Sequence, residues 1–408
     1  MQTVIATDLL TPLGAYLRLR GEERASFLLE SVEHGRLGRY SLVGTGSRVV
    51  GLDEAEACGE PVVGYLAYDH IAQLEPTVTL PEPGPDVNES RFIVADTLVR
   101  FDHVSGMAEV LCGDPAEVER LLDAPLGPIP NGNGRAGSIK RLPSRYEYER
   151  IVGVAKDYIR EGDAFQIVLS QRAERPTSAG AIQLYRSLRR VNPSPYLFLL
   201  ELGDELSLIG SSPETLVKAE GRRASVNPIA GTTRRSEGDA ERLLGSEKDR
   251  AEHVMLVDLG RNDLSRVSVP GSVRVERFLE PERFSHVTHL VSEVVGELRE
   301  DVSHFDMLRA CFPAGTVSGA PKVRAMQIIS ELEGYRRGVY AGAVGYALPG
   351  EAFDTCIAIR TIVLRNGVAY LQAGAGIVAD SQPQAEQQEC LNKLAALETA
   401  IGLAEARR

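Results

Sequence analysis

The chain has 408 residues, 43% of them hydrophobic and 25% charged, and a net charge of −12. That mixture describes a globular protein with ample core material. Its acidic excess excludes nucleic acid and anionic membrane surfaces as partners, since both require a basic face.

The N-terminal stretch carries no basic start followed by an apolar run, and no apolar segment approaches the roughly 20 residues that span a bilayer. Cys58, Cys112, Cys311, Cys356 and Cys390 form no C-x-x-C pair. A cytoplasmic protein with reduced thiols is expected. Arg39–Gly51 and Val62–Tyr68 read as strands, and Val94–Phe101 with Met107–Cys112 as a hairpin. Ala124–Ser138 is too rich in Pro, Gly and Asn for a regular element. It divides the chain into an N-terminal region, 1–123, expected to pack into the same unit, a linker, 124–138, and a larger region, 139–408. Beyond it, Ile151, Val154, Ala155, Tyr158 and Ile159 recur at helical spacing up to a stop at Gly162. Ala164–Ser170 reads as a strand, and Ile182–Arg190 as a helix closed by Asn192-Pro193-Ser194-Pro195. Strands are expected at Tyr196–Leu202, Leu206–Gly210 and Thr215–Glu220, the last turning back into Arg223–Pro228. Glu247–Leu264 and Gln384–Ile401 read as helices, with strands between them at Gly338–Leu348, Ala352–Leu364 and Gly367–Ala373. Runs of strands with inserted helices predict an α+β fold with antiparallel sheets.

Two of the helices carry an acidic pair at i, i+3: Asp249 with Glu252, and Glu386 with Glu389, followed by Lys393. Residues so spaced share a helical face. Two such faces opposed gather four carboxylates, a donor set for a hard cation such as Mg²⁺. Taken alone, Glu389 and Lys393 are equally an ordinary surface ion pair. Ser285–Glu297 holds His286 and His289 without the H-E-x-x-H of a zinc protease. Cys311–Lys322, CFPAGTVSGAPK, is a Gly-rich loop ahead of a helix, but Gly315 and Gly319 stand too close together for a P-loop. Its backbone N–H groups still suit a carboxylate. In Ala373–Asp380, Gly374 and Gly376 lack the third glycine of a dinucleotide motif. The plain reading of both loops is a tight turn. Arg360 ends an apolar strand, where a guanidinium needs an anion. Glu214, at a strand start, is undistinguished alone. No cysteine sits in a glutaminase-type nucleophile setting, so nitrogen drawn from glutamine must come through another chain.

Together the motifs resemble the chorismate-utilising enzymes, and within them the large subunits of anthranilate synthases. The resemblance rests on PIAGT (Pro228–Thr232), AEHVMLVDLGRND (Ala251–Asp263), HLVSEVVGEL (His289–Leu298), LRACFPAGTVSGAPKVRAMQII (Leu308–Ile329), RRGVYAGAVGY (Arg336–Tyr346), DTCIAIRT (Asp354–Thr361) and QAGAGIVADS (Gln372–Ser381). LTP-x-x-AYL (Leu10–Leu17), FLLESVEHGRLGRYS (Phe27–Ser41) and GYLAYD (Gly64–Asp69) extend it over nearly the whole chain.

The resemblance implies large antiparallel sheets forming a sandwich with helices packed outside. It implies conversion of chorismate and ammonia to anthranilate and pyruvate through aminodeoxyisochorismate, the first step of tryptophan biosynthesis, with Mg²⁺. Glu252 and Glu389 would be metal ligands, with Asp249 and Glu386 beside them. Arg360 and Tyr340 would hold the enolpyruvyl carboxylate with the backbone of Gly374, Ala375 and Gly376. Thr316, Gly231, Thr232 and Lys393 would line the pocket. Glu214 is the implied general acid, and His289 assists the loss of pyruvate. Gln166 stands where water-activating members place a lysine base, which fits ammonia as nucleophile instead. Ala230 stands where some aminodeoxychorismate synthases carry a nucleophilic lysine. A separate glutamine amidotransferase subunit is implied. So is a tryptophan feedback pocket made by Glu30, Ser31, Arg39, Tyr40 and Ser41 with Asn192, Pro193, Ser194, Pro195, Tyr196 and Leu197. The alternatives are an aminodeoxychorismate or aminodeoxyisochorismate synthase and, in a different class, a non-catalytic module that binds chorismate or tryptophan.

Overall fold

The computed structural model describes residues 4–21, 24–31, 39–82, 84, 86–127, 137–203, 206–236, 238–283 and 287–406. The middle of the expected linker, 128–136, and His286 lie outside the described residues, as does the side chain of Thr232.

Among the described residues there are two antiparallel sheets, of twelve and ten strands. Each joins a block of strands from before residue 124 to a block from after residue 138 across one strand pair. In the larger sheet Ala25–Glu30 pairs with Tyr196–Glu201, Leu28 opposite Leu199. In the smaller, Val62–Leu66 pairs with Ala343–Leu348, Gly64 opposite Gly345.

Side chains alternate across a strand, so the continuous apolar run of Tyr196–Glu201 feeds two cores. Phe198 and Leu200 point inward with Phe27 and Leu208 against Val63, Tyr65 and Val344 of the other sheet. Leu197 and Leu199 point outward, where the helices Pro12–Leu19, Ala181–Val191 and Pro383–Ala406 cover them through Tyr16, Leu184 and Leu397. The smaller sheet is covered in the same way by Glu247–Ser265 and His304–Cys311, through Val257, Leu264 and Leu308. The result is the expected α+β sandwich with helices outside. No helix among the described residues is long and apolar enough to cross a membrane.

Three expectations change. Ala352–Leu364 is not one strand. Ala352–Ile357 belongs to the smaller sheet and Thr361–Arg365 to the larger, with Arg360 at φ 51° where the chain crosses. Arg39–Gly51 divides in the same way, into Tyr40–Gly46 and Arg48–Val50. An apolar run carries no mark of where it changes sheets. Last, Gly374–Gly376 is not a turn. The strand Val368–Ile377 runs straight through it, paired with Gln166–Pro176.

Candidate active site

Two crossovers between the sheets lie side by side. One is Ser212-Pro213-Glu214-Thr215, leading from Leu206–Ser212 into Thr215–Glu220. The other is Ile357–Thr361. The Ser211 N–H donates to the Arg360 carbonyl at 3.1 Å, and the Ile357 N–H to the Glu214 carbonyl at 3.0 Å. The Ser212 hydroxyl donates to the Ile357 carbonyl at 2.7 Å. These bonds bring Glu214 and Arg360, distant in sequence, to one place.

Beside them runs a floor without side chains. Gly374 and Gly376 share one face of their strand, while Ala375 is buried on the other against a core that includes Ile151 and Ile328. A Cβ on Gly374 would stand 2.7 Å from the Tyr340 hydroxyl and 2.8 Å from the Leu169 carbonyl, and one on Gly376 would overlap the Gln166 amide. Only glycine lets Tyr340 and Gln166 lie this close to the strand. Lys393, on the Pro383–Ala406 helix, donates to the Gly374 carbonyl at 2.8 Å and pairs with Glu389 at 2.7 Å.

Arg360 makes no side-chain hydrogen bond or ion pair with a described residue. Burial lowers its pKa, opposed by Tyr340, Glu214 and Glu389 nearby. A guanidinium stays protonated in a protein, so this is a half-buried cation with no bonded anion among the described residues. Burial pushes the Glu214 carboxyl up to about 7, against the Thr316 hydroxyl beside it and the charges of Lys393 and Arg360. The Thr316 Oγ1, in the turn Gly315–Val317, is buried without a formed hydrogen bond among the described residues.

His289 lies on the strand Val287–Glu297, opposite Thr232 of Ile229–Arg234. The register slips at Gly231, whose φ of 69° turns its carbonyl toward the ring. His289 Nδ1–H donates to that carbonyl at 3.2 Å. A carbonyl can only accept, so Nε2 is the basic nitrogen. Burial lowers the His289 pKa, and Arg360 acts in the same direction, which keeps the ring neutral. A Cβ on Gly231 would stand 3.3 Å from Asp249 Cβ, which puts Asp249 of the first acidic pair on this side of the site. The second pair, Glu386 and Glu389, borders the floor through Lys393. Among the described residues no three His, Cys, Asp or Glu side chains are placed to hold one ion. Glu389 takes the surface-pair form that its spacing allowed.

The clamp behind the floor has no counterpart among the sequence motifs. Arg337 and Glu333 form an ion pair at 2.7 Å, both side chains 1% exposed. Arg337 also donates to the carbonyls of Val317 and Val168 at 2.7 Å each, and stacks on Tyr68 and Tyr340 at 4.6 and 5.5 Å. Ser170 donates twice to Glu333, and the Arg337 and Gly338 N–H groups both donate to Asp69 at 3.1 Å. One guanidinium therefore fixes the Thr316 turn, the Gln166 strand and Tyr340 together. Lys322, the lysine of the P-loop look-alike, is tied at 2.7 Å to Asp263 of the GRND run.

A separate cavity of about 570 Å³ is lined by Glu30, Ser31, Arg39, Tyr40, Pro195, Tyr196 and Leu197, with Lys218, Tyr346 and Asp354 opposite. Of the remaining residues expected there, Ser41 bonds His103 at 2.7 Å and Asn192 bonds Ser211 at 3.2 Å. Pro193 and Ser194 do not line it either. Glu30 is already engaged by Arg189 at 3.2 Å and by the Tyr185 hydroxyl.

A profile of the family described as chorismate binding enzyme matches residues 16–399. This chain belongs to that family. It is 44% identical to anthranilate synthase component 1 of Streptomyces coelicolor, across 98% of this chain and 88% of that one. It is 43% identical to anthranilate synthase component 1 of Thermus thermophilus, across 98% and 97%. The crystal structure of anthranilate synthase component I from Streptococcus pneumoniae TIGR4 is similar at TM-score 0.79 and 36% identity, over 97% of this chain and 99% of that one. The menaquinone-specific isochorismate synthase of Escherichia coli shares the fold, with TM-score 0.78 at 20% identity over 98% and 94%.

Proposed function

We infer that this chain is the chorismate-converting component of an anthranilate synthase, making anthranilate and pyruvate from chorismate and ammonia. One observation carries the reading. A half-buried Arg360 without an ion-pair partner among the described residues, a carboxyl raised to about 7 and a neutral histidine converge beside a glycine floor, in a chain over 40% identical to enzymes of that name along nearly its whole length.

Chorismate is a dianion. Arg360 and Tyr340, with the backbone of Gly374–Gly376, receive its enolpyruvyl carboxylate. Thr232, Gly231, Thr316 and Lys393 bound the rest. Mg²⁺ keeps most of its waters and needs only one or two protein carboxylates plus substrate oxygens. A cage of three carboxylates is therefore not required. Glu252 and Glu389, with Asp249 and Glu386 beside them on two helices, are all-oxygen donors of the kind that demand calls for and would hold the ion. When bound, the ion neutralises the ring carboxylate. Glu214, protonated below about 7, gives its proton to the 4-hydroxyl, which leaves as water while ammonia adds at C2. His289, through Nε2, then assists proton transfer as pyruvate is lost and the ring becomes aromatic. One chorismate and one ammonia give one anthranilate, one pyruvate and one water. Gln166 cannot deprotonate water, and ammonia needs no such help.

A separate glutamine amidotransferase chain supplies the ammonia. Burial pushes the Cys311 and Cys356 thiols up, the opposite of an activated nucleophile. Tryptophan occupies the 570 Å³ cavity and inhibits. The cavity shares the Glu214 crossover: the Tyr196 hydroxyl lies 2.8 Å from Thr215 Oγ1, and Asn192 bonds Ser211, which holds the Arg360 carbonyl. The enzyme works in the cytoplasm, with its five cysteines unpaired.

The test is incubation with chorismate, ammonium and Mg²⁺, following anthranilate fluorescence and pyruvate. A different aromatic product, or chorismate left intact, overturns the reading. Activity that survives excess chelator removes the metal from it.

A further inference from the structure

Behind Glu214 lies a cavity of about 50 Å³, bounded by Asn227, Leu256, Gly260, Ala314 and Thr316 as well as by Glu214 itself. A buried water needs about 10–15 Å³ of such space. The chamber therefore takes a few water molecules and is far too small for a ring dianion. Its walls are largely apolar, but the Glu214 carboxyl, the Asn227 amide and the Thr316 hydroxyl on them can bond water, as can Asp263, which Lys322 holds, and Thr215, which Tyr196 holds. The Thr316 Oγ1 is buried beside the Glu214 carboxyl, close enough to act on it but without a well-formed hydrogen bond to a described residue. Such a group ordinarily signals an ordered water.

The reaction proposed above sets a second requirement. Each turnover leaves a water beside Glu214 and strips the carboxyl of its proton. The matching proton is released on the other side of the substrate, from the ammonium group formed at C2. With chorismate lying over the glycine floor, the substrate itself separates Glu214 from that proton. We propose that the cavity behind Glu214 is a water chamber that accepts the departing water and returns a proton to the carboxyl between turnovers. The proton balance closes: Glu214 loses one proton to the leaving hydroxyl, solvent gains one from the C2 ammonium, and the chamber passes one back. The proposal rests on Glu214 being the general acid.

Two variants address it without touching substrate-facing groups. Ala314→Leu fills the chamber, and Asn227→Leu removes a water partner at nearly constant volume. Each is mixed rapidly at pH 7 with chorismate, Mg²⁺ and saturating ammonium, and anthranilate is followed by fluorescence. The wild type is expected to give a linear trace. The variants are expected to show a burst of up to one anthranilate per site at the wild-type rate, then a steady state about tenfold or more slower. The slow phase should carry a solvent deuterium isotope effect that the wild type lacks, which separates proton return from slow product release. Chorismate affinity, measured without ammonium, should not change. A wild-type-rate first turnover also shows that the variant is folded. If burst and steady state slow together, the chamber only positions Glu214 and the proposal fails. It fails equally if the steady state of both variants matches the wild type. If the wild type itself makes no anthranilate, the function is wrong rather than the chamber.

Discussion

Around Glu214 and Arg360 the backbone is tied down on every side, whereas the cavity under Tyr196, one crossover away, is about 570 Å³ of open space. The first region is fixed by paired crossovers, by glycines with no room for a Cβ, and by a guanidinium that spends its donors on Glu333, Val317 and Val168. The second is walled by long side chains such as Arg39, Arg100, Lys218 and Glu351. Groups that must meet a developing charge need to be held before the substrate arrives. A site whose occupancy changes needs volume and alternative partners. The two regions share the turn at Ser211–Thr215, so the rigid one can sense the open one.

The comparison is broken most severely at Arg337. Arg337→Met leaves Glu333 as an uncompensated buried carboxylate, which should cost about 3–5 kcal/mol of stability. It also frees the Val317 and Val168 carbonyls, so anthranilate formation should be lost in whatever remains folded. Denaturant unfolding alongside a turnover assay checks both, and a variant of wild-type stability would show the clamp to be dispensable. Arg360 should behave in the opposite sense. Its charge is half-buried and has no ion-pair partner among the described residues, so Arg360→Met should leave stability unchanged or improved. Chorismate kcat/KM should nevertheless fall by about 10²–10³, since a desolvated charge contact is worth about 2–5 kcal/mol. Loss of both stability and activity at Arg360 would mean that it is structural, as Arg337 is.

The next effect is one of pH. The Glu214 carboxyl is raised to about 7 by burial, so the folded protein holds a proton there that the unfolded chain has released above the ordinary carboxylate range. Two consequences follow with the same sign. The stability this group contributes is present at low pH and lost as pH rises through about 7. The rate of 4-hydroxyl departure declines over the same limb, about tenfold per pH unit well above it. Glu214→Gln should lose activity and at the same time flatten stability between pH 5 and 8, as unfolding midpoints across that window would record. A variant as pH-sensitive as the wild type would assign the limb to another group.

Much of this was legible in the chain itself. PIAGT, DTCIAIRT and QAGAGIVADS pointed to Gly231, Arg360, Gly374 and Gly376 through the resemblance to the chorismate-utilising enzymes, and of the four only Arg360, an arginine in an apolar run, stood out as a residue type. The crossover at Arg360 was not legible. Leu, Ile and Val suit either sheet, and nothing in Ala358-Ile359 marks the change of plane. The glycine floor was misplaced as a turn because glycine signals turns more often than close approach. The clamp was hidden for a different reason. Glu333 and Arg337 have the spacing of a helical ion pair, yet the helix Lys322–Glu333 ends at Gly334 with φ 65°, and the pair forms across that end. Only tertiary packing brings the two together with Ser170 and Val168.

The smallest effect on basal chemistry, and the sharpest on the comparison, is expected in the open cavity. Glu30 is already held by Arg189 and Tyr185, and Ser31, the next residue along that strand end, also lines the cavity. Across the cavity the Tyr196 hydroxyl donates to Asp354 at 3.0 Å and lies against Thr215, next to Glu214. An occupant that shifts Tyr196 therefore acts on the acid's own turn. Ser31→Leu should fill the near end of the cavity and relieve tryptophan inhibition while leaving chorismate turnover near the wild-type rate. Coupling between two sites is reciprocal. In the wild type, chorismate without ammonium should weaken tryptophan binding by the same factor, about 5–150-fold, by which tryptophan weakens chorismate binding. Titrations of each ligand at several fixed concentrations of the other measure that factor directly. Tryptophan that binds the wild type without altering chorismate binding would leave the open region a structural ligand site, mechanically separate from the crossovers beside it.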